Sequence, residues 1–269
     1  MRRERVLVAI LLLSIWIGVP EKPHAQQALD ARVADLVQSG KLRAGIGVVA
    51  PHWAVKDQTS GELRGVAVEV ARALASRVGV SLVPVEYPSP PKVLDGVKEN
   101  AWDVGFLGID PSRATVVDFS SPYLEIDATY LVTESSKIQS IADADQPGIR
   151  IAVTGKSVEE IVLKDAIKKA ELQAVETIPA GLDLLRAGKV DVLAAPRPAL
   201  VQFSARLPGS RVVDDRFHVA FAGIAVPKGQ SARLSYLNEF VQDAVATGLI
   251  QHAIERVGVR GVQVAGGAK

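Results

Sequence analysis

The sequence predicts an α/β protein built as two lobes. Segments with the apolar pattern of buried strands alternate with segments whose apolar residues recur at helical spacing. This alternation is typical of open α/β sheets. This alternation occurs twice, and an extended stretch near residues 129–133 separates the two occurrences. The chain has 269 residues, of which 48% are hydrophobic, a size that suits one large domain or two modest lobes. Two α/β lobes therefore explain the pattern better than a single sheet.

Glycines and a proline bound the elements of the first half. Gly40 ends a helix predicted over residues 29–39, and Gly79 ends another over residues 66–78. Asp110 and Pro111 predict a further helix start, with Asp as the N-cap and Pro at the first helical position. The other elements predicted here are strands over 41–49, 81–87 and 102–107, a turn at 61–65 and a short helix over 93–100.

The second half repeats the alternation of strands and helices. The predicted strands cover residues 150–153, 173–178, 190–194 and 222–227. The predicted helices cover residues 158–169, 180–188, 231–247 and 250–257.

The amino terminus has the pattern of an export signal. Three arginines stand within the first five residues, and an apolar run covers residues 6–19. A membrane-spanning helix needs about 20 apolar residues, whereas the apolar core of a signal peptide needs roughly 7–15. We therefore predict a signal peptide over residues 1–25 with cleavage near Ala25, and the alternative is an uncleaved anchor.

Charge and cysteine content exclude several functions. The chain carries 31 basic and 30 acidic side chains, so its net charge of +1 gives no field for holding nucleic acid. Without cysteine it forms no disulfides and has no thiol nucleophile, no cysteine-ligated metal and no lipoprotein anchor. The four histidines lack metal-ligand spacing and are expected to be solvated or half-buried. We therefore expect no metal and no cofactor.

Seven motifs follow one another in a fixed order. They are residues 41–45 (KLRAG), 61–65 (GELRG), 102–105 (WDVG), 111–114 (PSRA), 117–123 (VDFSSPY), 188–192 (GKVDV) and 223–229 (GIAVPKG). Their order and spacing resemble the extracytoplasmic solute-binding proteins of family 3, the amino-acid type with a type II periplasmic-binding fold. The resemblance covers roughly residues 38–258, and its specificity comes from the order rather than from any single motif.

The resemblance implies an architecture and a role. Lobe 1 would comprise residues 29–130 and 220–262, and lobe 2 residues 131–219, joined by a hinge of two crossing strands near 129–133 and 217–222. A small carboxylate ligand would bind between the lobes and close them. The closed form, a monomer in the periplasm, would then be recognised by the inner-membrane permease of an ABC importer.

The resemblance also implies how a carboxylate is held. An Arg at the position of Arg113 clasps it in this family, because a planar guanidinium donates two parallel charge-assisted hydrogen bonds. The alternative is an Arg that is solvated or paired with Asp110. From lobe 2, the N–H groups of Ser157 and Val158 would complete the cradle at a helix start, although Ser157 is equally explained as a plain N-cap.

The remaining candidates form the walls of the site. Trp53 and Tyr87 follow strand ends, where clefts form in open α/β sheets, and Phe106 is the third aromatic candidate. Each of the three is equally explained by ordinary packing. Gly108 stands where the family often has a hydroxyl residue, so only its backbone can contact a ligand. Asp110 stands where Thr or Ser is usual, and its charge would weaken an anionic ligand unless the side chain faces away.

Three departures from the family bear on the ligand. Pro196 stands where an Asp usually pairs with the ligand's ammonium group, and Gly47 stands where the first strand usually has an Asp. The aromatic residue that usually covers the ligand aligns near Ala50. Because a buried ammonium without a carboxylate costs several kcal/mol, a small organic acid without an ammonium group is predicted in preference to an amino acid, which is the alternative ligand. Arg197 would add a second positive group for a dicarboxylate, or it is an exposed loop residue.

The sequence contains no recognisable catalytic motif, so no catalytic residue is predicted. One enzyme class remains as the alternative, because some proteins of this fold are periplasmic dehydratases of cyclohexadienyl acids such as arogenate. Such an enzyme needs a carboxylic acid in the cleft, and Glu125 or Asp110 would be the group recruited.

Overall fold

The computed structural model describes residues 30–266, so the predicted signal peptide lies outside the described residues. The strands are β1 (Lys41–Gly47), β2 (Val55–Lys56), β3 (Leu63–Arg64), β4 (Ser81–Tyr87), β5 (Val104–Gly108), β6 (Val117–Phe119), β7 (Leu124–Val132), β8 (Arg150–Thr154), β9 (Glu171–Val175), β10 (Val192–Pro196), β11 (Arg211–Val212), β12 (His218–Pro227) and β13 (Val262–Val264). The helices are α1 (Ala34–Ser39), α2 (Val66–Val78), α3 (Pro90–Val93), α4 (Asp95–Lys98), α5 (Val158–Ala166), α6 (Ile178–Arg186), α7 (Arg197–Ser204), α8 (Ser231–Ala246) and α9 (Leu249–Val257), with 3-10 turns at Ala31–Val33, Arg113–Thr115 and Ala142–Ala144. Across residues 30–266, every helix is too short or too polar to cross a membrane.

Two groups of parallel strands flank a central antiparallel pair. The sheet order is β4-β1-β5-β12-β7-β10-β8-β9. β1 is parallel to β4 and β5, and β8 is parallel to β9 and β10, so each group has the arrangement expected of an α/β lobe. Between them, β7 pairs with β12 through its first half and with β10 through its second half. The predicted two-lobed α/β fold with a hinge of two crossing strands is confirmed.

Each lobe has its own apolar core, and the loop after β1 and helix α5 pack across the cleft, because Val158 of α5 belongs to the lobe 1 cluster. The core of lobe 1 is built around β1, β5 and α2, whereas the cores of lobe 2 are built around β8 and β10. Ala50, in the loop after β1, is buried within a lobe 2 cluster that includes Leu200 and Phe203 of α7. The loop that follows β1 therefore belongs to lobe 1 by sequence and packs against lobe 2.

Several element boundaries differ from the prediction for local reasons. The helix predicted over 180–188 begins at Ile178, because the hydroxyl of Thr177 accepts a hydrogen bond from the N–H of Ala180 at 3.3 Å. This earlier start shortens the preceding strand, predicted over 173–178, to Glu171–Val175.

Two proline-containing segments also differ from the prediction. Asp110 and Pro111 lead into a 3-10 turn over Arg113–Thr115 rather than a longer helix. Helix α7 was not predicted, because Pro196 and Pro198 indicate a loop. A proline in the first turn is nevertheless compatible with a helix start.

Candidate functional site

A cavity of about 400 Å³ lies in the cleft between the lobes. Lobe 1 contributes the loop after β1, the start of α3 and the end of β5. Lobe 2 contributes the starts of α5 and α6, the end of β10 and one side of α7. This position at the carboxyl ends of strands is where open α/β sheets bind small molecules.

Arg113 places a buried positive charge on the cavity wall. Only 6% of the residue is exposed, and within residues 30–266 its guanidinium makes one hydrogen bond, from Nη1 to the carbonyl oxygen of Gly108 at 2.9 Å. No carboxylate of the described chain lies within ion-pair distance of it. Burial lowers the pKa of the guanidinium, and the charges of Asp110 and Glu159 oppose that shift. A buried cation that faces a cavity without an ion partner is suited to an anionic ligand group.

The carboxylate of Asp110 is directed into its own turn. Its Oδ1 accepts hydrogen bonds from the backbone N–H groups of Ser112 at 2.8 Å and Arg113 at 3.2 Å, and from the hydroxyl of Ser112. Asp110 is buried and does not line the cavity. It therefore fixes the turn that carries Arg113, and it does not present its charge to a ligand.

Residues from both lobes converge beside the Arg113 guanidinium. A Cβ atom added at Gly108 would lie 3.2 Å from Nη1 of Arg113 and 3.6 Å from Cγ2 of Val158, the first residue of α5. Ser157 caps this helix by accepting a hydrogen bond from the N–H of Glu160 at 3.1 Å. The structure thus brings together four of the residues predicted from the sequence, and the unsatisfied first turn of α5 lies near the guanidinium.

Glu159 places a second buried charge in the same cavity, from lobe 2, and the sequence did not single it out. It is the second residue of α5, lines the cavity and is 8% exposed. Its charge acts on the pKa values of both Arg113 and His218, yet no ion pair forms between the side chain and the rest of residues 30–266. A carboxylate near a helix start is favoured by the helix dipole. The cavity therefore has one buried charge of each sign.

Two neighbouring aromatic rings line the cavity from lobe 1. Trp53, predicted as a wall residue, is buried there, and the ring of His52 lies 5.1 Å from it between centroids. His52 was expected to be solvated or half-buried, but it is 1% exposed, and both ring nitrogens lack a hydrogen-bond partner within the described chain. Burial lowers the pKa of this imidazole to about 3, so it is neutral at physiological pH.

Three predicted site residues lie away from the cavity. Tyr87 packs with Trp102 in a small lobe 1 cluster, and Phe106 is fully buried with its ring edge-on to Tyr123 at 6.0 Å. Arg197 donates hydrogen bonds to the carbonyl oxygens of residues 213–215 at 2.7 to 3.0 Å. With these hydrogen bonds, Arg197 stabilises the segment that leads into hinge strand β12.

The two departures from the family's carboxylate positions have structural consequences. Pro196 lines the cavity and ends β10, where it contributes no charge. Gly47 ends β1 against α3, and a Cβ atom there would lie 2.9 Å from the backbone nitrogen of Pro90. An Asp at position 47 would therefore collide with the backbone of α3. Elsewhere in residues 30–266, no three His, Asp and Glu side chains are grouped to hold a metal ion.

The sequence of this chain is similar to those of known proteins. A model of the bacterial extracellular solute-binding proteins, family 3, matches residues 42–258. The ABC transporter glutamine-binding protein GlnH of Bacillus subtilis (strain 168) is 23% identical over 239 residues, which cover 86% of each protein. Cyclohexadienyl dehydratase of Pseudomonas aeruginosa is 27% identical over 150 residues, which cover 54% of this chain and 55% of the dehydratase.

The fold is also that of solved two-lobed binding proteins. The solute receptor for L-cysteine of Neisseria gonorrhoeae matches with a TM-score of 0.74 at 21% identity, over 84% of this chain and 92% of the receptor. At this identity the match establishes the fold alone.

Proposed function

The chain belongs to the bacterial extracellular solute-binding proteins of family 3, and we propose that it binds a free α-amino acid between its lobes and delivers it to the permease of an ABC importer. The observation that carries this proposal is the pair of buried, opposite charges that line one cavity, Arg113 from lobe 1 and Glu159 from lobe 2. Arg113 meets the α-carboxylate with a planar guanidinium fork, supported by the first-turn N–H groups of α5. Glu159 meets the α-ammonium group.

The buried charges of Arg113 and Glu159 remove the reason for predicting a ligand without an ammonium group. That prediction rested on Pro196 and Gly47, where the usual carboxylates are missing. A carboxylate at these two positions is not required, because Glu159 reaches the same cavity from the first turn of α5. An organic acid would leave the buried Glu159 carboxylate without a counter-charge, which is costly. A zwitterionic ligand satisfies both buried charges, so the amino acid is the better ligand.

Matched ligand pairs test the proposal. Isothermal titration calorimetry would compare each α-amino acid with the acid that lacks only its ammonium group. At least one amino acid should bind, and its deaminated partner should bind at least tenfold more weakly, because the buried Glu159 is then unpaired. Equal or tighter binding of the deaminated acid would overturn the proposal and restore the organic-acid prediction.

A matched pair of variants assigns the ammonium site. Glu159→Gln should reduce the advantage of the amino acid over its deaminated partner by about tenfold. Glu160→Gln is the control, because Glu160 is equally buried and adjacent but ion-pairs with Lys164 at 3.0 Å and does not line the cavity. An equal effect of both variants would contradict the role of Glu159.

The finer parts of the sequence prediction belong to this proposal. We propose export to the periplasm with cleavage near Ala25, the lobe boundaries predicted above, and a monomeric binding protein. Sequencing the amino terminus of the exported protein and measuring its mass in solution by light scattering test the cleavage site and the monomer.

A dehydratase acting on a cyclohexadienyl acid is the second candidate, favoured by the match to the Pseudomonas enzyme. Neither acid predicted for it faces the cavity: Asp110 caps its own turn, and Glu125 lies in β7 beside β12 and β13. Glu159 is the buried acid that does line the cavity. Turnover of prephenate or arogenate that disappears in Glu159→Gln would favour the enzyme, and binding of an amino acid without turnover would exclude it.

A further inference from the structure

Two opposite charges are buried close together in lobe 1 without forming an ion pair. Among the described residues of this lobe, the buried charged side chains are those of Asp103, Asp110, Arg113 and Arg233. Asp103 and Arg233 each have an ion partner. Asp110 and Arg113, which are 4% and 6% exposed, have none within residues 30–266. They stand three residues apart in one turn, so each is a nearby counter-charge for the other.

Hydrogen bonds to the backbone hold these two charges near each other but apart. Oδ1 of Asp110 accepts a hydrogen bond from the backbone N–H of Arg113 at 3.2 Å. The guanidinium of Arg113 donates from Nη1 to the carbonyl oxygen of Gly108 at 2.9 Å, so it lies over the same short turn. Because both side chains are buried, their attraction is screened far less than that of a surface pair.

The charge of Asp110 is not needed for its role in the turn. Thr or Ser is usual at this position in the family, and a hydroxyl oxygen also accepts hydrogen bonds from backbone N–H groups. An Asp therefore adds a buried negative charge beside the arginine that faces the cavity. This charge repels a carboxylate bound at Arg113, although Asp110 itself does not line the cavity.

We propose that Asp110 sets the affinity of the cavity: it positions Arg113 through its hydrogen bonds, and its charge weakens the binding of the ligand carboxylate. This inference rests on the proposed function, in which Arg113 meets that carboxylate. The same charge attracts an ammonium group, so its net effect on a zwitterion is smaller than its effect on an acid without an ammonium group. Asp110 thereby also favours amino acids over their deaminated partners, and it speeds ligand release.

Variants that separate the charge from the hydrogen bonds test the proposal. Asp110→Asn keeps an oxygen that accepts from the backbone and removes the charge. Calorimetry on the full chain would use the standard α-amino acid that binds most tightly, together with its deaminated acid. Asp110→Asn should bind the amino acid about three- to tenfold more tightly and the deaminated acid more tightly by a larger factor. Asp110→Ser, the neutral cap usual in the family, should act in the same direction, and it keeps the test open if the Asn variant fails to fold.

Two further variants complete the comparison. Asp110→Ala removes both the charge and the acceptor, and it should bind more weakly than Asp110→Asn because the turn that carries Arg113 is less firmly held. The control is Asp143→Asn in lobe 2, since Asp143 also accepts from two backbone N–H groups, at 2.8 and 2.9 Å, but is exposed and lies outside the cavity. Its affinity should stay within about twofold. An equal gain in Asp143→Asn would indicate an effect of overall charge and contradict the proposal.

A merely structural role predicts the opposite sign. If Asp110 only holds the turn, the Asn and Ser variants leave affinity unchanged or lower it, and either result would overturn this inference alone. If deaminated acids bind the unmodified chain more tightly than amino acids, the proposed function fails, yet the effect of Asp110→Asn on those acids still decides this inference. If Arg113→Ala leaves affinity unchanged, both fail together.

Discussion

The two walls of the cleft use different means to present a charge. On the lobe 1 wall, Arg113 stands where the resemblance implies, in a turn fixed by Asp110 and by the carbonyl oxygen of Gly108. On the lobe 2 wall, Pro196 stands where a carboxylate is expected, and the buried carboxylate comes instead from Glu159 on α5. Under the proposed function, the site keeps its charge balance although the side chain that supplies the negative charge lies on a neighbouring element.

Polar groups around the cleft also differ in whether they have hydrogen-bond partners. Asp110 has three hydrogen bonds within its own turn, whereas Gln202 has a buried oxygen and His52 two buried nitrogens without partners in the described chain. Groups that are already hydrogen-bonded stabilise the turn that carries Arg113, whereas a buried polar group without a partner costs stability. The two classes make separable predictions about stability and binding.

Arg113→Ala should have the largest effect, a loss of ligand affinity of about a thousandfold, or ~4 kcal/mol. The unliganded protein should be as stable as before or more stable, because the buried guanidinium has no ion partner to lose. Calorimetry and thermal melting measure the two effects.

Arg233→Ala is the matched control for this variant. Arg233 is also buried in lobe 1, but it is ion-paired with Asp35 and lies away from the cavity. It should lose stability and keep affinity. Unchanged affinity in Arg113→Ala would contradict the proposal that Arg113 binds the carboxylate of the ligand.

The sequence predicted most of the fold because local signals agreed with tertiary structure. The helix predicted over residues 66–78 is observed over Val66–Val78, and it ends at Gly79 in the left-handed conformation that glycine favours. The extended stretch between the two α/β patterns indicated two lobes, and the family resemblance implied the hinge of two crossing strands. Helix α7 was missed because two prolines close together at the start of a short segment are typical of loops as well as of helix starts.

The site was less predictable because it depends on contacts between lobes. Arg113 followed from its motif, but a glutamate in the first turn of a helix is normally solvated, and nothing local shows that Glu159 faces the other lobe. The burial of His52 likewise depends on how the loop after β1 packs. Ala50, two residues earlier, lies in the same apolar cluster as residues of α7, about 150 residues further along the chain.

Arg197→Ala should lower the free energy of unfolding by about 2–3 kcal/mol and change ligand affinity by less than about threefold. Its guanidinium satisfies three carbonyl oxygens before hinge strand β12 and lies 3.6 Å from Asp127 on hinge strand β7. Urea unfolding and calorimetry measure the two quantities. Arg216→Ala, which removes the more exposed partner of Asp127, should cost at most about 1 kcal/mol. A selective loss of dicarboxylate binding in Arg197→Ala would instead return this residue to the site.

The pH dependence of stability gives the smallest effect and tests the buried, unpaired ring of His52. Burial holds the pKa of His52 at about 3 in the folded protein, against an ordinary value of 6.5. Below pH 6.5 the unfolded chain therefore binds a proton that the folded chain does not, and stability falls as the pH drops from 6.5 towards 3. Between pH 7 and pH 5 this contribution amounts to about 2 kcal/mol. The stability advantage of His52→Phe over the unmodified protein should grow by that amount across this interval, as measured by urea unfolding. The carboxylates elsewhere titrate in both proteins and cancel in the difference, so a constant difference would mean that the His52 ring is hydrated or hydrogen-bonded in solution.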